Sequence, residues 1–504
     1  YLFFLLCVLR VLCGEKKIMF RQSKSPYIAL LLLFSVFLSA CVGVKRVPNL
    51  ERIFAATKAQ KGKRPVIIIP GILGSELENA ETKESIWVNL SLPKSDGLSL
   101  PISPDLSKNR DSLTVKGIIK KVNLSRFLPE VSIYQALTDS MEKYGGYTEG
   151  DWENPDLENG GLDKYYIFAY DWRRDNVENA QLLTRKIEEL KTKLGKADLR
   201  FNVIAHSMGG LIARYAAMYG DKDLPLNGGK PAPDWAGAKH FNKIFMFGTP
   251  NEGSMQALEV VLKGYTIAGF YINNLNAEAV ITAPAIFQLL PHQSTARFYD
   301  ENLKPIEVDL YNPQTWKEYG WSAYTNPAFL NKFAGQPNAV DKSGKKSEFA
   351  DVSLEELDEY FANVLKRAKN FHEALDANTA VPASISFFAF GSDCGDTLDG
   401  ALIIRNAKTK QWQTFFTARA ITTSEGKKIT KAAVREILFA PGDTRVTRRS
   451  LLAETILQEN YRNSIFRKSL PVNATFFCEL HDELPNNKIV QNNFLTALIS
   501  EIIQ

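Results

Sequence analysis

Cysteine is scarce: there are five in 504 residues, and none stands at metal-ligand spacing. A glycine-rich nucleotide loop is missing too. Gly145-Gly146 and Gly160-Gly161 read as turns, because neither follows a strand in the dinucleotide pattern. No cofactor is therefore expected. Internal repeats and low-complexity tracts are absent. A single apolar stretch approaches membrane-span length and it lies near the N-terminus, which excludes a multi-pass membrane protein. Charge excess is small as well, 61 basic against 56 acidic side chains, a net of +5. Most of that surplus sits in residues 1–40, where Arg10, Lys16, Lys17, Arg21 and Lys24 face Glu15 alone. The rest is close to neutral, so a nucleic-acid partner has little electrostatic support. What is present is an ordinary globular mix, 45% hydrophobic and 23% charged. The length calls for more than one domain, or one large domain with insertions.

The N-terminus reads as an address. Residues 1–18 read as an over-extended reading frame, with Met19 the better start. Arg21 and Lys24 follow, then an apolar run from Tyr27 to Leu38, then Leu38-Ser39-Ala40-Cys41. A basic segment, an apolar segment and small residues in that order make a secretory signal. The last four resemble the bacterial lipobox, which implies that Cys41 is lipidated and holds an exported protein on the periplasmic or surface side of a bacterial membrane. The competing expectation is an uncleaved signal anchor. With residues 1–40 removed and Cys41 lipidated, Cys394 and Cys478 are an even pair. An oxidising compartment would let them bridge, and two free thiols are the alternative.

Residues 42–63 read as a tether, and 64–504 as the folded domain. Val66–Ile69, closed by Pro70-Gly71, reads as a buried strand ending in a tight turn. Further strands are expected at Tyr165–Tyr170, Phe201–Ala205, Lys243–Phe247, Ile385–Phe390 and Ala474–Cys478. Helical spacing marks Leu183, Ile187, Leu190 and Leu194, then Leu211–Tyr219, and finally residues 488–503. Residues 84–160 are mixed and polar. Residues 254–383 lack strand rhythm, and a structureless loop of that size is improbable, so they are expected to form a mainly helical lid. Strands alternating with helices predict a mostly parallel central sheet covered on both faces.

The segment Val203-Ile204-Ala205-His206-Ser207-Met208-Gly209-Gly210 sits between a strand and a helix. It follows the small-x-Ser-x-small logic of a nucleophile elbow. The bend is crowded, so Ala205 and Gly209 must be small, and Ser207 is lifted towards the helix N-terminus. The Met208 N–H is one expected oxyanion donor. The second is expected after the first strand, in Pro70-Gly71-Ile72-Leu73-Gly74-Ser75, from the Ile72 N–H. A serine hydroxyl needs a base. Of the histidines downstream, His481 follows the last predicted strand, where an α/β-hydrolase keeps its base. His240 precedes a strand, His292 lies in the lid, and His372 reads as a solvated helix face. The acid is open on the residues alone: Asp393 and Asp396 follow the Ile385–Phe390 strand, and Asp443 lies in a loop between helices.

Taken together, Val66–Leu77, Tyr170-Asp171-Trp172-Arg173, the Ala205–Gly210 elbow, Gly248–Ser254, Gly442-Asp443-x-x-Val446 and His481 resemble the lecithin:cholesterol acyltransferase family of α/β-hydrolases. The matches run in family order from about residue 64 onwards. The resemblance implies an α/β-hydrolase fold with insertions at about 84–160 and 254–383. It implies Ser207 as nucleophile, Asp443 as acid, His481 as base, and the Ile72 and Met208 amides as the oxyanion hole. Family members usually carry Thr before the Val of the acid motif, where this chain has Arg445.

Asp171-Trp172-Arg173 reads as a structural motif with its charges paired, the alternative being a substrate clamp. Arg445, Arg448 and Arg449 read as a solvated face, the alternative being a phosphate headgroup site. The expected activity is ester hydrolysis or acyl transfer on lipids, with a lipid or acyl-ester substrate and no obligate protein partner. Two other classes compete: a deacylase or amidase on a lipid-linked glycan or peptide, and a surface lipoprotein that keeps the fold without catalysis.

Overall fold

The computed structural model describes residues 47–88, 97–122, 131–225, 229, 231–266, 274–292, 296–340, 344–377, 379–406, 408–454 and 472–499. The signal segment 1–41, with Cys41, lies outside them. Among the described residues no helix is long and apolar enough to cross a membrane.

Seven strands form the central sheet: β1 (Val66–Ile69), β2 (Thr148–Glu149), β3 (Lys164–Ile167), β4 (Phe201–His206), β5 (Phe241–Phe247), β6 (Ser386–Ser392) and β7 (Val472–Phe477). Their order is β7-β6-β5-β4-β1-β3-β2, and every neighbouring pair is parallel. β1 and β4 are buried along their whole length, which is why both read as unbroken apolar runs rather than alternating ones. Side chains still alternate between faces. Ile67, Ile69, Val203 and Ala205 pack with Leu183, Ile187 and Leu211 on one side. Those leucines and the isoleucine belong to helices α2 (Asn176–Lys193) and α3 (Met208–Tyr219). On the other side Val66, Ile68 and Ile204 pack with Leu137, Met141, Phe494 and Leu498. These come from α1 (Gln135–Lys143) and a C-terminal helix, Lys488–Ile499. The fold is thus an α/β-hydrolase sheet with helices on both faces. The chain leaves β1 towards the edge strand β2 on one side and leaves β4 towards β5 on the other. Loops leaving the carboxyl ends of those two strands therefore diverge and open a crevice, the usual ligand position in such sheets.

Two expectations about organisation change. Residues 48–63 are not a loose tether. Leu50–Ile53 and Ala55–Lys58 are helical, Leu50 and Phe54 are buried in the core, and Lys63 is buried against Asp163 at 3.0 Å. The apolar pair Leu50 and Phe54 at helical spacing is the reason. The first insertion starts before residue 84. Ser75–Asn79 already leaves β1 to pair with Ser85–Trp87 and Leu113–Ile118 in a small antiparallel sheet.

The 254–383 insertion is helical in its main parts, Met255–Lys263 (α4) and Leu354–Leu375 (α5). It is not only helical. Arg297–Tyr299 pairs with Gly400–Arg405, which lies beyond β6, in a four-stranded sheet. That second excursion, between β6 and β7, had no strand rhythm long enough to be recognised. It also holds α6 (Lys431–Leu438) and an antiparallel pairing of Gly395–Leu398 with the distant Phe439–Gly442.

Candidate active site

β4 ends in a backbone bend that few residues adopt. Ser207 has φ 52° and ψ −123°, a conformation costing about 1–3 kcal/mol for a non-glycine residue. The surroundings hold it there. The Ser207 N–H donates to the Phe247 carbonyl at 2.7 Å, and the Gly210 N–H donates to the Ser207 carbonyl at 3.0 Å. A methyl group on Gly209 would stand 2.6 Å from the Pro70 carbonyl oxygen, so the position two after the serine must be glycine. Helix α3 begins at Met208, whose N–H has no acceptor within the helix and lies at its positive end.

The loop after β1 turns tightly, with the Gly74 N–H donating to the Gly71 carbonyl at 3.1 Å and Leu73 at φ 63°. Ile72, in that turn, is half-buried and packs against the core. The loop is tied to the elbow by a side chain that carried no motif. The Gly71 N–H donates to the Tyr134 hydroxyl at 2.8 Å, and Tyr134 lies 2.8 Å from His206 Nδ1. His206 Nε2 in turn lies 3.2 Å from the His481 carbonyl oxygen. Since a carbonyl only accepts, His206 carries its proton on Nε2, and its Nδ1 accepts a hydrogen bond from the Tyr134 hydroxyl. Burial and the neighbouring His481 hold His206 well below an ordinary imidazole pKa, so it stays neutral; burial likewise pushes the Tyr134 hydroxyl up.

β7 delivers His481 to the same end of the sheet. Its Nδ1 lies 2.7 Å from Asp443 Oδ2, and its backbone N–H donates to the Asp443 carbonyl at 2.9 Å. Asp443 Oδ1 accepts the backbone N–H groups of Arg445 and Val446 at 3.0 and 2.7 Å. These bonds come from the main chain, so Arg445 in place of the family's threonine leaves them intact. The adjoining Thr444 N–H donates to Thr397 Oγ1 at 2.8 Å. With Nδ1 committed to the carboxylate, Nε2 is the ring nitrogen that remains to accept a proton. Gly248, directly after β5, stands where any side chain would collide. An added Cβ would fall 2.7 Å from His481 Nδ1 and 2.8 Å from Asp443 Oδ2. The chain therefore passes against the imidazole–carboxylate pair one residue after the carbonyl that holds the Ser207 N–H.

Asp393 and Asp396 are elsewhere. Asp393 is exposed beside Cys394, and Asp396 is exposed and paired with Arg435. The strand just before them is the expected one, but the chain makes a detour of some fifty residues before an aspartate reaches His481. Asp443 is also preceded by a strand, Phe439–Gly442, rather than by a helix. Cys394 and Cys478 are bridged, with Cα atoms 5.3 Å apart, which fastens β6 to β7 three residues before His481.

The other histidines have occupations of their own. His240 is buried at the opposite end of β5 near Lys191 and Glu188. His372, expected on a solvated face, is buried on α5, with its ring 4.2 Å from that of His292. Arg173 is buried and binds Asp171 and Asp111, so Asp171-Trp172-Arg173 is an internal ion-pair motif. Arg445 and Arg449 are half-buried and paired with Asp482 and with Glu252 plus Asp399 respectively, whereas Arg448 is exposed as expected and pairs with Glu454. A groove of about 1310 Å³ runs along α2, but none of Ser207, Ile72 and His481 lines it. Sequence reasoning missed Tyr134, Thr397 and Gly248 as site residues. Only Gly248 lay in a recognised motif.

Residues 157–382 match the family model described as Lecithin:cholesterol acyltransferase. An uncharacterized protein of Saccharomyces cerevisiae, YJR098C, is 24% identical over 357 residues. That alignment covers 62% of this chain and 47% of the yeast protein, so the chain spans about half the length of the relative it matches. Among solved structures, a chain of the Tle4–Tli4 complex superposes with a TM-score of 0.54 at 14% identity. The superposition covers 88% of this chain and all of that one, a likeness of fold.

Proposed function

We propose, from the premise that this chain is an LCAT-like α/β-hydrolase, that it is a lipid-directed serine hydrolase or O-acyltransferase working through an acyl-enzyme on Ser207. One observation carries the reading: the Asp443–His481 pair, at 2.7 Å, stands against Gly248 at the same sheet end as the strained Ser207 elbow. His481 Nε2 takes the Ser207 proton as Oγ attacks the ester carbonyl carbon. The Ile72 and Met208 N–H groups hold the resulting oxyanion. His481 then passes the proton to the departing alcohol oxygen, the carbon–oxygen bond breaks, and the acyl group stays on Ser207. Water or an alcohol, giving its proton to His481, accepts the acyl group and restores the hydroxyl. Asp443 orients the imidazole and stabilises its charged form.

The N-terminal pattern extends the reading to an exported protein held at a bacterial membrane by lipidated Cys41. The Cys394–Cys478 bridge supports export, since such bonds persist mainly in oxidising compartments. Cys41→Ser should then abolish incorporation of an alkyne-tagged fatty acid and release the chain from the membrane fraction.

Activity is tested by fluorophosphonate labelling, followed by a panel of lipid esters with and without a long-chain alcohol. Labelling of the native chain and not of Ser207→Ala is expected. Amide turnover without ester turnover would replace this reading with that of an amidase.

A further inference from the structure

Arg445 touches four different parts of the molecule. Its N–H donates to the acid, Asp443 Oδ1, and its carbonyl accepts Ser254 Oγ–H at 2.7 Å. Its Nη2 donates to Asp482 Oδ2 and to the Tyr265 hydroxyl, each at 3.0 Å. The guanidinium also lies over the Tyr265 ring, 5.4 Å from its centre. Asp482 directly follows His481, and Tyr265 opens the short hairpin Tyr265–Thr266 with Asn274–Leu275 in the insertion after β5. The acid loop, the base loop and the insertion thus meet at one side chain.

The charged and titratable groups around His481 come from five places. Asp443 binds Nδ1 from the acid loop, and the His206 ring lies 4.9 Å away from the elbow. Tyr134 stands behind His206 from α1, and Tyr265 behind Arg445 from the hairpin. Asp482, Glu479 and Glu483 share the base's own segment, where Glu479 accepts from Asn487 and Glu483 faces solvent. Two carboxylates, Asp443 and Asp482, therefore flank one imidazole, and only the first hydrogen-bonds it. An uncompensated Asp482 would favour the protonated ring, and a protonated base cannot take a proton from serine. Desolvation opposes ionisation of Asp482 most strongly, but the charge and hydrogen bond of Arg445 together with the neighbouring His481 and His206 rings outweigh it and hold that carboxyl below the ordinary range.

We propose that Arg445 and Asp482 are a positioning pair for the base: the guanidinium anchors the base loop to the acid loop and cancels the field of the second carboxylate at the imidazole. The inference rests on the roles given above to Ser207, Asp443 and His481. It makes a prediction of opposite signs. Arg445→Gln leaves Asp482 uncompensated, so the acid limb of kcat/KM moves to higher pH. Asp482→Asn leaves Arg445 uncompensated, so the limb moves to lower pH. Each shift should be about half a unit, because Asp482 is 61% exposed and partly screened. The double variant should return close to the native limb, and 0.5 M salt should shrink both single shifts.

The experiment uses p-nitrophenyl butyrate with the full chain between about pH 5 and pH 9 at low ionic strength. Arg445→Lys keeps the charge and loses the planar contact with Tyr265. It should leave the limb in place while kcat falls a few-fold, which separates anchoring from field cancellation. Single variants whose limbs stay fixed, or move the same way, overturn the pairing. Titration of the His481 Cε1–H signal in the same variants, with ¹³C-labelled histidine, needs no turnover. If the native chain neither labels with fluorophosphonate nor cleaves the ester, the functional reading fails, and the NMR shifts still decide the pair.

Discussion

Among the described residues two buried histidines pair with aspartates at nearly equal length, His481 with Asp443 at 2.7 Å and His292 with the half-buried Asp376 at 2.8 Å. Their surroundings differ. Both Asp443 oxygens are used, one by the imidazole and one by two backbone N–H groups. Asp376 keeps a buried Oδ1 without a hydrogen bond, and its histidine packs against another imidazole, His372, with ring centres 4.2 Å apart. The first pair stands beside the elbow at the sheet's carboxyl end; the second is packed where α5 ends, over α3. An imidazole–carboxylate contact alone therefore says little about catalysis. A neighbouring nucleophile and a carboxylate locked by the main chain are what distinguish the first.

The largest effect that sharpens this contrast is removal of the nucleophile. Ser207→Ala should lower turnover at least about a thousandfold with an unchanged melting temperature; residual esterase activity at native level would remove Ser207 from the chemistry. Next comes the same substitution in both pairs. Asp443→Asn should reduce kcat by about 10³ or more. Asp376→Asn should leave kcat within about threefold and lower stability by about 1 kcal/mol. Equal kinetic losses at the two sites would erase the distinction.

A smaller effect concerns protons. Burial holds His206, His240 and His372 below the ordinary imidazole range. The unfolded chain then takes up protons near pH 6.5 that the folded chain refuses. Stability is therefore fully present above that pH and is lost below it, by up to about 1.4 kcal/mol per pH unit for each such histidine. Urea midpoints measured from pH 7.5 down to 5.5 read this slope. His372→Leu should flatten it while leaving midpoints near pH 7.5 unchanged or higher, and an unaltered slope would count against a neutral buried His372. Smallest of all, Thr397→Val removes the acceptor for the Thr444 N–H. It should cost about 1 kcal/mol and reduce kcat less than tenfold, seen in denaturation curves and initial rates.

Much of the scaffold was legible because a fully buried parallel strand has nowhere to put polar residues. Val66–Ile69 and Phe201–Ala205 stood out for that reason, and the elbow stood out because crowding forces Ala205 and Gly209. The acid was not legible from residues alone. Asp393 follows β6 directly, and nothing local says that the chain will build a hairpin and a helix before Asp443 arrives. Tyr134 was invisible for a related reason: its partners, Gly71 and His206, are brought to it only by packing of α1 on the sheet. The stretch 48–63 was misjudged because Lys, Gly and Gln at its end outweighed two apolar residues, Leu50 and Phe54, that find a place in the core.

The strand at Arg297–Tyr299 pairs with Gly400–Arg405, and the antiparallel strand pair that leads into Asp443 lies within the same excursion. The acid is consequently stapled to the region it would be tempting to treat as a detachable cassette. A chimera that swapped residues 254–383 with those of a relative would strip the 400–405 strand of its edge partner and disturb the carboxylate from a distance. Recombination, in the laboratory or in evolution, would have to carry both excursions together.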